Sequence, residues 1–196
     1  GDLAGKRVGD LCAAPGGKTA QLILAGGSVV AVEQSKTRLK RLESNLSRLG
    51  LSAEIRCANL LDLDDSGSFD AILLDAPCSS TGTVRRHPDV LWTKDAGDIA
   101  KLAQLQEKLL RHALTLLKPG GTLVFSNCSL DPQEGEAMID RVLADTAGIT
   151  LLPVDPKQWP GLEGAITARG DVRTTPAMLA EQGGLDGFYA CMLAKI

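Results

Sequence analysis

Three stretches of the chain hold residue types at spacings that could do chemistry. The first is Asp10-Leu-Cys-Ala-Ala-Pro-Gly-Gly-Lys-Thr19. Its centre, Cys12, Ala13, Ala14, Pro15, Gly16 and Gly17, is small or rigid, so a ligand can approach the backbone closely. Lys18 adds a cation at the start of a helix, and a helix N-terminus offers unpaired amides to an electron-rich group. The second stretch is Asp75-Ala-Pro-Cys78, in which an acid at a strand end precedes a thiol. The third is Asn127-Cys128. A cysteine acts as a nucleophile only as its thiolate, and a free thiol of pKa ~8.5 is only a few per cent ionised at neutral pH. Each thiol therefore needs polar or cationic neighbours; otherwise it is a buried small residue, the commoner fate of cysteine. Arg85, Arg86 and His87 form a cationic cluster that could grip phosphates or simply be solvated.

Two phosphate-binding patterns come close to the first stretch and fail. The pattern G-x-x-x-x-G-K-[ST] would take Gly17, Lys18 and Thr19 as its last three positions, but its first glycine would fall on Cys12. The pattern G-x-G-x-x-G is absent. What is left is a nucleoside-type loop followed, about twenty residues on, by an acid, Glu33, which could accept hydrogen bonds from ribose hydroxyls or serve as a helix cap.

These residues must be positioned by alternating strands and helices. Val8–Leu11 and Ser28–Val32 read as strands, Thr19–Ala25 as a short helix and Ser35–Leu49 as a longer one capped by Ser35 and closed by Gly50. A strand is expected at Ala53–Cys57 and another at Phe69–Asp75, with no room for a helix between them. Residues 76–95 form a long irregular section, the kind that is usually functional or disordered. Ile99, Leu102, Leu105, Leu109 and Leu116 mark a helix over 96–117. Lys118-Pro-Gly-Gly121 should stop it before a strand at 122–126, and Pro132 should open a helix through Thr146. Strands are expected at 149–153 and 187–194, the second of which could pair antiparallel with the first, with a Pro/Gly-punctuated stretch between. This order predicts an α/β fold built on seven strands in a mostly parallel, doubly wound sheet. Its ligand crevice lies at the carboxyl ends of the strands, which carry Asp10–Lys18, Glu33, Ala58-Asn59, Asp75–Cys78 and Asn127-Cys128.

The 196 residues suit one domain, with 44% apolar and 23% charged residues. No apolar run is as long as a membrane span. The five cysteines lack zinc-type spacing and suit a reducing, cytoplasmic compartment, with no metal expected. A net charge of −3 argues against nucleic-acid binding through a global field.

Taken together, Asp10–Thr19, Leu74-Asp-Ala-Pro-Cys-Ser79, Arg85-Arg-His-Pro88, Asn127-Cys-Ser129 and Gly187-Phe-Tyr189 resemble the Nop/Sun-type RNA cytosine-5 methyltransferases, particularly the bacterial small-subunit rRNA enzymes of that group. The resemblance runs from about Arg7 to the end. It implies the class I, Rossmann-like methyltransferase fold with S-adenosyl-L-methionine as cofactor, held by Cys12–Lys18, Glu33, Asn59 and Asp75. It implies Cys128 as the nucleophile, Cys78 as an aid to product release, and RNA as partner. It also implies one catalytic domain over 1–196, from a longer protein with an N-terminal RNA-binding domain. Asp75 could hold the cytosine N3/N4 edge, and Lys18 could orient Asp75. Cys12, Cys57 and Cys191 are expected to be structural, and Trp92 to lie in the core.

Three positions depart from that family's pattern: Gly9 within the first strand, Asn59 in place of an acid, and Asn127 in place of a threonine. Two rival readings stand. DNA cytosine-5 methyltransferases use the Pro-Cys thiol as nucleophile, which would make Cys78 the attacking group. A catalytically silent RNA-binding or assembly factor would keep the fold without the chemistry.

Overall fold

The computed structural model describes residues 2–196. Strands β1 (Arg7–Leu11), β2 (Ser28–Val32), β3 (Glu54–Arg56) and β4 (Phe69–Asp75) alternate with helices α1 (Gly17–Leu24) and α2 (Lys36–Leu49). There follow α3 (Val90–Thr93), α4 (Ala96–Leu116), β5 (Leu117–Asn127), α5 (Glu136–Asp145), β6 (Ile149–Leu152), β7 (Val172–Thr174) and β8 (Phe188–Lys195). Strand order is β3-β2-β1-β4-β5-β8-β6, with β7 paired to β8. The expected seven strands form this path; the eighth, β7, pairs antiparallel through Val172↔Ala190 to Thr174↔Phe188. Three residues inside a Pro/Gly-rich stretch carry too little periodicity to be read as a strand.

Chain contacts cluster into two compact units. One comprises the chain up to Asp75, Leu109–Leu123 and Lys195–Ile196; the other comprises Ala76–Lys108 and Val124–Ala194. In the first, β1 pairs in parallel with β2 (Val8↔Val29, Leu11↔Val32) and with β4 (Val8↔Ala71, Leu11↔Leu74). β1 and β2 are buried beyond their first residues and β4 at Phe69, Ile72 and Leu74, as a sheet covered on both sides requires of its central strands. Gly9 now has a reason: a Cβ there would stand 3.3 Å from two ring carbons of the fully buried Phe69, so the missing side chain makes room for that ring. In α2, the Ser35 hydroxyl caps the Arg38 amide and Gly50 ends the helix in the left-handed region at φ 66°. Leu42 and Leu46 from α2 pack with Ala13, Ala14, Ala20 and Ala31 beneath the glycine-rich loop.

Several boundaries differ from expectation. Leu60–Asp62 forms a single 3-10 turn ahead of β4. β5 begins at Leu117, with the Gly120 turn (φ 76°) inside it, and Lys118 Nζ is tied to Asp70 at 2.7 Å. Pro132 opens only a 3-10 turn, and α5 starts after Gly135. A Cβ on Gly135 would come within 2.6 Å of an Arg173 guanidinium nitrogen and 3.1 Å of the Tyr189 ring. In α4 the buried side is Ala103, Gln106, Leu109, Leu110, Ala113, Leu114 and Leu116, whereas Leu105 is partly exposed. Trp92 is not in the core: it is 87% exposed on α3, beside exposed Leu91. The four-residue α3 lies in the long 76–95 section and has no buried residue.

Candidate active site

In the first unit, β1 delivers its last residues into the loop at its carboxyl end. Cys12 takes a positive φ of 73°, and the amides of Cys12 and Ala13 both reach Val32 O at 3.0 Å, so the loop folds back over β2. Gly16 precedes α1 at φ 101°, a conformation a side chain would strain. The resulting cavity, about 330 Å³, is lined by Asp10, Cys12, Ala13, Ala14, Pro15, Gly17, Lys18, Gln21 and Asp75. Seven of the ten cofactor positions expected from the sequence thus face one space. Lys18 Nζ pairs with Asp75 Oδ2 at 2.7 Å.

Gly16, Glu33 and Asn59 do not line this cavity. Glu33 is buried; its Oε1 accepts from the Ser35 amide at 2.9 Å, and Oε2 lies 3.4 Å from the Arg38 guanidinium. Oε2 has no hydrogen bond, so that contact is electrostatic only. Arg38 also donates to Ala14 O at 2.9 Å, linking Glu33 to the loop. The Asn59 side-chain oxygen accepts from the Leu61 amide at 3.2 Å and so caps the following turn. The Cys12 thiol is pushed up to about 12 by burial and then by Glu33, which fits a structural role.

Asp10, expected at the crevice but given no cofactor role, and Gln21, not singled out in the sequence, also line the cavity. Asp10 is the more telling. It is almost fully buried, and Oδ2 accepts from Thr19 Oγ1 at 2.6 Å, but Oδ1 has no hydrogen-bond partner. Burial pushes its carboxyl up to about 6 against the Thr19 hydrogen bond. A buried acceptor without a donor is costly. The signal in the sequence was its place at the end of β1.

In the second unit, the loop after β4 and the end of β5 bring the two other cysteines together. Cys78 Sγ and Cys128 Sγ are 3.5 Å apart, and Ser80 Oγ stands 3.9 Å from the first and 3.5 Å from the second. The Cys78 thiol is held well above the ordinary thiol range, first by its hydrogen bond to Cys128 and then by burial. The loop is pinned by backbone: Gly82 N donates to Cys128 O at 2.8 Å and Gly187 N to Gly82 O at 2.7 Å. A Cβ on Gly82 would lie 2.0 Å from Gly187 O, so only glycine allows this crossing. Arg85 and Arg86 both pair with Asp186, Arg86 Nε at 2.8 Å. His87 closes the turn, its amide bonding Thr83 O.

A mostly parallel sheet with helices between its strands and a glycine-rich loop after the first strand is a Rossmann-like fold, the architecture of class I methyltransferases. Magnesium protoporphyrin IX methyltransferase of Synechocystis PCC 6803 shares that fold at TM-score 0.61 with 15% identity, over 99% of this chain and 72% of that one. The chain belongs to the 16S rRNA methyltransferase RsmB/F family, whose model matches residues 4–194. It is 41% identical over 197 residues to ribosomal RNA small subunit methyltransferase B of Vibrio cholerae, covering 98% of this chain and 42% of that protein. The same enzyme of Pseudomonas syringae is 43% identical over 200 residues, covering 98% and 43%. The chain thus spans about two-fifths of the length of these relatives. Among solved structures, NSun6 of Pyrococcus horikoshii with SFG matches at TM-score 0.80 and 29% identity, over 97% of this chain and 48% of that one. Among the described residues, no helix is long and apolar enough to cross a membrane, and no group of three His, Cys, Asp or Glu could hold a metal ion.

Proposed function

We propose that this chain carries out S-adenosyl-L-methionine-dependent methylation of C5 of a cytosine in small-subunit rRNA, with Cys128 as nucleophile. The observation that carries the reading is the thiol pair, two sulfurs 3.5 Å apart in a family of rRNA methyltransferases. C5 of cytosine is a poor nucleophile. Addition of the Cys128 thiolate to C6 forms an S–C6 bond and moves the π pair towards C5, making that carbon enamine-like. Asp75, acting on the N3/N4 edge, favours the protonated ring that accepts this addition. When bound, S-adenosyl-L-methionine supplies an electrophilic methyl on a sulfonium and leaves as a neutral thioether. Loss of the C5 proton then restores the C5–C6 double bond and expels the Cys128 thiolate.

The local electrostatics divide the labour between the thiols. The Cys78 thiol is held protonated by its hydrogen bond to Cys128 and by burial, which suits Cys78 to the later proton transfer and Cys128 to the attack. Once Cys128 is tied up as a thioether, the Cys78 thiol no longer hydrogen-bonds a thiolate; after giving its own proton to water it can, as thiolate, take the C5 proton.

The cavity fits the cofactor in chemistry as well as position. Its small-residue wall admits a nucleoside, and the unpartnered Asp10 oxygen suits a cationic group such as an α-ammonium. Glu33 belongs to the cofactor set through the loop that it braces by way of Arg38, Asn59 through its place just past the end of β3, and Arg85, Arg86 and His87 belong to RNA binding in the cytoplasm. Bisulfite mapping of small-subunit rRNA from cells lacking the protein tests the reading. One 5-methylcytosine should vanish, return with the wild-type gene and stay absent with Cys128→Ala. An unchanged map would refute it.

A further inference from the structure

One buried carboxyl group in the second unit has no part in the chemistry above. Glu134, in the turn before α5, is fully buried. A carboxyl group out of water costs several kcal/mol unless hydrogen bonds compensate, so its partners show what it is for. Oε1 accepts from the Ser79 amide at 2.9 Å and from Gln106 Nε2 at 2.7 Å. Oε2 accepts from the hydroxyls of Ser79 and of Ser129, the latter at 2.6 Å. Ser79 follows Cys78 and Ser129 follows Cys128, so one carboxyl group grips the neighbours of both thiols and holds their hydroxyls 3.1 Å apart.

Asn127 completes the assembly from the other side of Cys128. Its Nδ2 donates to Gln106 Oε1 at 3.0 Å and to the Glu134 carbonyl at 2.6 Å, while Oδ1 accepts from the Ser129 amide at 3.0 Å. Asparagine can make all three bonds; a threonine hydroxyl has one proton to give and cannot. All five side chains are almost fully buried. A buried apolar cluster would serve stability equally well or better, whereas a satisfied polar network specifies one arrangement of the loops that it joins.

We infer that Glu134 is a positioning residue: through Ser79 and Ser129 it sets the separation of Cys78 and Cys128, and Gln106 and Asn127 orient its carboxyl group. This rests on the reading that the two thiols carry the methyl-transfer reaction, but the geometry can be tested without that reaction. Equilibrating the protein with reduced and oxidised glutathione measures the effective concentration of one thiol for the other. Glu134→Ala should lower it at least tenfold, a change of ~30 mV in this two-electron couple. Glu134→Gln keeps length and hydrogen bonding, the two hydroxyls turning to accept, and should stay within about threefold of wild type. Val142→Ala, a cavity in α5 away from the network, controls for lost stability and should leave the equilibrium unchanged in folded protein. If Glu134→Ala does not fold, Ser79→Ala and Ser129→Ala each remove one donor and should each lower the equilibrium about threefold. Methyl transfer by Glu134→Ala should fall mainly in kcat, with KM for RNA near wild type.

An unchanged thiol equilibrium in the folded variants, or an equal fall in Val142→Ala, overturns the inference. A wild-type protein that transfers no methyl group while Glu134→Ala still loosens the thiol pair would refute the methylation reading and leave the positioning role standing.

Discussion

Asp10 combines burial, an unpartnered oxygen and a carboxyl pushed up to about 6. The folded protein holds the proton of Asp10 more tightly than the unfolded chain, whose carboxyl titrates near 3.8. Stability from this group is therefore fully present below about pH 4 and is lost as pH rises through about 6, by roughly 3 kcal/mol. Asp10→Asn should flatten this part of the profile, which urea melts at pH 4, 5, 6 and 7 will show. If a cationic group of the cofactor docks on the free oxygen, it favours the ionised form. Affinity for S-adenosyl-L-methionine should then fall by up to tenfold per pH unit below about 6 in wild type, and not in Asp10→Asn. Calorimetry across that range provides the check. Cys12, by contrast, lies at the same cavity with a thiol pushed up to about 12, and Cys12→Ala should leave methyl transfer within about threefold of wild type.

At the scale of elements, the site depends on close backbone approaches. Gly82→Ala would drive a Cβ into Gly187 O and should cost about 2–3 kcal/mol while freeing the Cys78 loop, visible as a lower melting temperature together with weaker thiol exchange. Gly9→Ala presses on Phe69 at 3.3 Å, a milder contact, and a smaller residue at 69 should recover part of the loss. Much of this level was legible in the sequence. A β-branched run placed β2, an apolar run ending in an acid placed β4, a capping serine and a closing glycine bounded α2, and the strand-end rule gathered most of the cavity residues. What was not legible depended on tertiary context. No local signal says that the leucine stripe of α4 turns Leu105 outward and Gln106 inward, because Gln106 is buried for the sake of Glu134 and Asn127. Residue type alone points Trp92 to the core, but the four-residue helix that carries it leaves the indole 87% exposed. Glu134 follows Pro132 by two residues, an ordinary place for an acid at a helix start; nothing local says that it is buried against Ser79, some fifty residues earlier in the chain.

For the whole molecule, a net charge of −3 leaves little general attraction to RNA, and the candidate phosphate grip, Arg85 and Arg86, is already shared with Asp186. This chain by itself should bind small-subunit rRNA fragments in the non-specific range, ~10⁻⁴–10⁻⁶ M at physiological salt, and lose binding steeply as salt rises. Asp186→Asn releases both arginines and should tighten that binding. The central claim, however, concerns which sulfur attacks, and covalent trapping tests it most directly. RNA with fluorine at C5 of the target cytosine cannot release the enzyme after methyl transfer, because there is no C5 proton to remove. With S-adenosyl-L-methionine, wild-type protein and Cys78→Ser should both yield a stable protein–RNA adduct on a denaturing gel, and Cys128→Ser should yield none. An adduct that persists in Cys128→Ser and disappears in Cys78→Ser would contradict the assignment and make Cys78 the nucleophile.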